Sequence, residues 1–95
     1  MLWDERDEPV LRWLLENPPP GGVLRINSLS SQPHQGLPSL TQAEVYRAVE
    51  TLRDAGYLAG DAGRWSSRAA YTFTRVQVTG PGKQALGLWP RFDAL

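Results

Sequence analysis

The stretch from Leu40 to Leu58 constrains the fold more than any other, because a helix start, an apolar stripe, a helix stop and a strand entry follow one another there. Thr41 and Glu44 have the T-x-x-E spacing of a capping box, in which the hydroxyl accepts the Glu44 N–H and the carboxylate accepts the Thr41 N–H. A helix is therefore predicted over 42–55. Val45, Ala48, Val49, Leu52 and Ala55 recur at spacings of three and four and form one apolar stripe, while Arg47, Glu50, Thr51 and Asp54 face outward. Gly56 can take the left-handed conformation that ends the helix, and Tyr57-Leu58 opens a strand.

The flanking segments read less completely. Residues 8–16 predict a helix with Pro9 in its tolerated first turn and Val10, Leu11, Leu14 and Leu15 as its core stripe. Pro18-Pro19-Pro20-Gly21-Gly22 stops it, since three prolines cannot donate helical hydrogen bonds. A short strand over 23–26 follows. One or two helical turns are expected near 28–32, with Leu29, Leu37 and Leu40 as anchors of a connection broken by Pro33, Gly36 and Pro38. Residues 57–79 read as a hairpin whose returning strand changes phase between Tyr71/Phe73 and Val76/Val78. A bulge near Thr74-Arg75, or a tip folded as its own hairpin, reconciles the two sets. Thr79 then caps a short helix over 81–87, with Pro81 in its first turn and Leu86 inward.

A chain of 95 residues makes one domain, burying about 60–70% of its unfolded surface. The absence of cysteine removes disulfides, thiolate metal sites and a cysteine nucleophile together and suits a reducing compartment. No apolar run reaches the length of a membrane span, and the acidic start lacks the basic segment of a signal peptide, so a cytoplasmic setting without membrane contact is expected. Ten basic and ten acidic residues cancel, yet 1–60 hold eight acids and five bases while 61–95 hold two acids and five bases. The hairpin half is therefore basic, which is either a solvated mixture of charges or a built polarity.

The segments Val49-Glu50-Thr51-Leu52-Arg53-Asp54-Ala55-Gly56-Tyr57-Leu58 and Val78-Thr79-Gly80-Pro81-Gly82-Lys83-Gln84-Ala85-Leu86 together resemble winged helix-turn-helix domains of the bacterial transcriptional-regulator type, over roughly residues 8–88. The resemblance implies a small α+β fold, with a three-helix core, a β-hairpin wing over 57–79 and a short C-terminal helix. It also implies double-stranded DNA as partner and transcriptional control as role. By position, Gln42, Tyr46 and Arg47 would face bases while Arg64 and Arg68 would meet the backbone. Glu44, Glu50 and Asp54 make that helix net negative, which opposes phosphate attraction. The rival expectation is a winged helix used for protein contact, as the N-terminal adaptor of a larger protein or in a homodimer. Trp65, Trp89 and Phe92 are its candidate contact residues.

Other constellations carry little chemistry. Gly80-Pro81-Gly82-Lys83 lies between strand and helix as a phosphate loop would, but Gln77 and Gln84 stand where that motif needs Gly and Ser or Thr, so helix capping explains it. Asp4, Glu5, Asp7 and Glu8 read as charged solvation at an unrestrained terminus and helix start rather than a metal cluster. His34, the single histidine, reads as a surface loop residue with no serine-and-acid frame in sequence. No catalytic residue, cofactor or metal is expected.

Overall fold

The computed structural model describes residues 2–64 and 70–87. Within them the chain is a small α+β domain with three α-helices and a three-stranded antiparallel sheet. A π-helical turn, Trp3–Asp7, runs into α1, Glu8–Glu16. Then come a 3-10 turn at Pro20–Gly22, β1 at Leu24–Asn27 and α2 at Gln42–Asp54. The order closes with β2 at Leu58–Arg64, β3 at Ala70–Val78 and α3 at Gly80–Ala85. The sheet order is β1-β3-β2, so the hairpin's returning strand is central.

The capping box at Thr41 forms as its spacing predicts: Thr41 Oγ1 accepts the Glu44 N–H at 3.1 Å and Glu44 Oε1 accepts the Thr41 N–H at 2.8 Å. Val45, Ala48, Val49 and Leu52 are buried on one side of α2. Ala55, the expected last member of that stripe, is instead exposed at the helix end, where the chain already turns through Gly56 in the left-handed region. From the other side Val10, Leu11 and Leu14 of α1 close the core, and Leu24, Ile26, Phe73, Val76 and Val78 of the sheet complete it.

The phase change in β3 is a bulge. Its pairing passes from Ala59 opposite Gln77 to Asp61 opposite Thr74, so Gly60 faces both Arg75 and Val76. Arg75 absorbs the extra residue with φ 55°, and Phe73 and Val76 consequently both point inward.

Two segments depart from expectation. Residues 28–32 form a turn and no helix. Asn27 Oδ1 accepts the Leu29 N–H at 3.0 Å and Ser30 Oγ accepts the Gln32 N–H at 3.1 Å, so short polar side chains take the amides that a helix would need. Leu29 is 79% exposed, whereas Leu40 is buried and Leu37 half-buried, so the anchoring falls to the later pair. The acidic start is not an unrestrained terminus: Asp7 is buried, its Oδ1 accepts Arg6 Nε at 2.6 Å, and Arg6 also donates to Thr51 Oγ1 of α2 at 3.2 Å. The π-helical turn thereby docks the first residues onto α2.

At the C-terminal end, Thr79 Oγ1 accepts the Gly82 N–H at 3.1 Å and donates to the Gly56 carbonyl at 2.6 Å. Gly82 is buried directly against the Tyr57 carbonyl, where any side chain would collide. Close packing and capping account for this glycine.

Candidate functional site

The helix α2 carries three of the residues expected to act, and its surroundings decide what each can reach. One flank faces the N-terminal helix through Thr51. The other leans on the sheet. There Gln42 Oε1 accepts the Asn27 N–H of β1 at 3.2 Å, and Arg53 Nε donates to the Gly60 carbonyl at 2.9 Å, its guanidinium 5.4 Å from the Phe73 ring centroid.

Tyr46 belongs to the same flank. Its half-buried ring lies 4.7 Å from Tyr71 and 6.0 Å from Phe73, centroid to centroid, and its hydroxyl donates to Glu50 Oε2 at 2.9 Å. Burial first, and then the neighbouring Glu50 carboxylate and Tyr71, push the Tyr46 phenol well above its ordinary range. It stays a neutral donor. Gln42 through its side-chain oxygen and Tyr46 through its hydroxyl and ring therefore make contacts within the domain while staying partly exposed, and of the three only Arg47 stands on the outward ridge, with Glu50 and Asp54.

The start of α2 is closed as well. The first N–H groups of a helix are its natural anion anchor. Here Gln42 N–H donates to the Gln32 carbonyl at 3.0 Å, Ala43 N–H to the Ser30 carbonyl at 3.1 Å, and Glu44 N–H to Thr41. The loop that stands where one or two helical turns were expected thus takes two of these donors, and the Thr41 cap takes the third. A bridge between Pro33 and Thr41 and the His34 N–H to Leu40 carbonyl bond at 2.8 Å hold the loop in place.

Positive charge around α2 is largely spent internally. Arg12 Nε donates to Glu8 Oε2 at 2.9 Å, Arg75 Nε to Asp61 Oδ2 at 2.9 Å, and Arg6 to Asp7. Arg64 ends β2, its backbone paired with that of Tyr71. Arg68, Trp65, Trp89 and Phe92 lie outside the described residues. Among the described residues no group of three His, Asp or Glu comes together to hold a metal ion, and no helix is long and apolar enough to cross a membrane.

Tyr71 packs on Tyr46, and His34, read from the sequence as a surface loop residue, is half-buried with its ring 4.9 Å from Trp13. The signal for Tyr71 was its place on the inward phase of β3. None existed for His34, whose burial depends on the loop path. Comparisons with protein-family models, curated proteins and solved structures gave no match to this chain.

Proposed function

We propose that the chain is a winged-helix domain that works as a protein-contact module, presenting the outward ridge of α2 to a basic partner surface. Support for the fold part comes from the element order, the β1-β3-β2 sheet and the hairpin that follows the capped helix. The observation that carries the functional part is the ridge itself. Arg47 stands there against Glu50 and Asp54, beside the half-buried Tyr46 and Tyr71, whose rings are in contact. Tyrosines bordered by charge are typical of protein interfaces, whereas a net-negative ridge repels phosphate. A chain without cysteine suits a cytoplasmic setting for such a module.

Base reading by α2, with transcriptional control as its purpose, is the second reading. It is favoured by the five bases against two acids in 61–95, and it rests on Arg47 with Arg64 and Arg68. A titration of isotope-labelled protein with random-sequence duplex DNA at low salt separates the two. The contact-module reading predicts no amide shifts over 42–54 in the wild type. It predicts salt-dependent binding, with a slope of about −0.9 per neutralised phosphate, once Glu50→Lys and Asp54→Lys make the ridge wholly basic. Wild-type shifts in α2 at Kd values of about 10⁻⁴ to 10⁻⁶ M would hand the domain to DNA.

A further inference from the structure

The central strand of the sheet is covered on one side for only part of its length. β1 pairs with β3 from Ala70 to Phe73, so among the described residues the later part of β3 has β2 on one side and no strand on the other. Gly22 of the 3-10 turn closes over Arg75, where an added side chain would come within 3.4 Å of the Val76 nitrogen. Farther along, the Thr79 N–H donates to the Tyr57 carbonyl at 3.1 Å, on the β2 side. Strand alternation then turns the N–H and C=O of Val78 to the opposite edge, away from β2. That edge opens on a groove of about 240 Å³ whose other walls are Leu14 and Leu15 of α1, Pro18, Pro19 and Lys83 of α3. Pro18 and Pro19 have no N–H, so they offer the Val78 carbonyl no donor from across the groove. Lys83 is the only charged residue in the lining.

We propose that this groove takes an extended segment of a partner protein, which adds beside β3 where β1 stops and carries an apolar side chain flanked by carboxylates. The Val78 N–H and C=O bond the backbone of the segment, the leucine and proline wall receives its apolar side chain, and the Lys83 ammonium attracts a carboxylate. Outward-turned backbone groups favour a strand over a helix, because a helix satisfies its own backbone internally. The groove lies among α1, β3 and α3, apart from the α2 ridge, and the inference stands whatever that ridge meets.

Capped pentapeptides titrated into isotope-labelled protein test this: Asp-Thr-Leu-Thr-Asp, its counterpart with lysine in place of both aspartates, and the acidic peptide N-methylated at its three central residues. In the free protein the Val78 N–H should exchange with solvent faster than the Thr79 N–H. The acidic peptide should shift the signals of Val76, Val78 and Lys83 saturably and slow the Val78 exchange. The lysine peptide and the N-methylated peptide should each bind more weakly by about tenfold or more, the worth of one charged hydrogen bond or of the lost backbone pairing. Lys83→Glu should reverse the order of the acidic and lysine peptides, a result that a damaged fold cannot give. Equal binding of the two charge types, binding that survives N-methylation, or no saturable shift at millimolar peptide overturns the proposal. A Val78 N–H as protected as that of Thr79 in dilute free protein overturns it by assigning the edge to the chain itself. Protection that rises with protein concentration alone overturns it by assigning the edge to a second copy.

Discussion

Substituting alanine for Gly82 sets two effects against each other, and the geometry decides the sign. Gly82 lies within α3, where alanine is ordinarily favoured by roughly 0.5–1 kcal/mol through backbone entropy. A methyl group at this position would collide with the Tyr57 carbonyl oxygen and come within 2.9 Å of Val78 Cγ1. That carbonyl cannot withdraw cheaply, because it accepts the Thr79 N–H at 3.1 Å, and Thr79 Oγ1 in turn holds the adjacent Gly56 carbonyl. Overpacking of this kind costs about 1–3 kcal/mol. Its upper range applies where backbone must move, so Gly82→Ala should lose about 1–2 kcal/mol net. In a domain of this size that corresponds to a fall in Tm of roughly 5–15 °C. Urea denaturation should show a lower midpoint with an unchanged slope, while Gln84→Ala, exposed on the same helix, should stay within about 0.5 kcal/mol of wild type. A midpoint for Gly82→Ala at or above wild type would refute the close approach of α3 to Tyr57.

Leu52 is 1% exposed at the centre of the α2 stripe, so Leu52→Ala should cost about 2–5 kcal/mol, and a near-neutral result in chemical denaturation would break the core assignment. Burial lowers the pKa of His34 from 6.5, so the folded state takes up this proton less readily than the unfolded chain. The associated stability is present above that value and is lost as pH falls through and below it. Thermal melts between pH 7.5 and 5.5 should show the wild type losing more stability than His34→Gln, and parallel curves would contradict the packing on Trp13. The terminal aromatics Trp3, Trp13, Trp89 and Phe92 raise weak self-association. Trp3 already packs edge-on against Tyr57 at 5.9 Å and Trp13 against His34, so dimerisation would depend on Trp89 and Phe92. Sedimentation at high concentration should show reversible association that Trp89→Ala with Phe92→Ala removes, and a strict monomer would dismiss it.

Local signals made much of the fold legible. The capping box, the α2 stripe and the glycine after it act within a few residues, and the β3 phase change announces the Arg75 bulge because a one-residue slip would otherwise expose a core side chain. The loop from 28 to 41 was not legible. Whether Asn27 and Ser30 oxygens or helical carbonyls capture the local amides depends on the far side of the loop, where α2 takes the Ser30 and Gln32 carbonyls. The same limit applies at the site. The face of Arg47, Glu50 and Asp54 follows from helical period alone, but Gln42 and Tyr46 lie on the flank of the stripe, and their fate depends on β1 and β3 standing beside them.

The proposed contact module meets its partner protein through the ridge of Arg47, Glu50 and Asp54. A photo-crosslinking amino acid at position 50 or 54, compared with one at Gln84 on α3, tests it directly in living cells. Protease-sensitive, nuclease-resistant adducts from the ridge positions, absent from position 84, are the result expected. Nuclease-sensitive adducts from position 50 or 54 would contradict it.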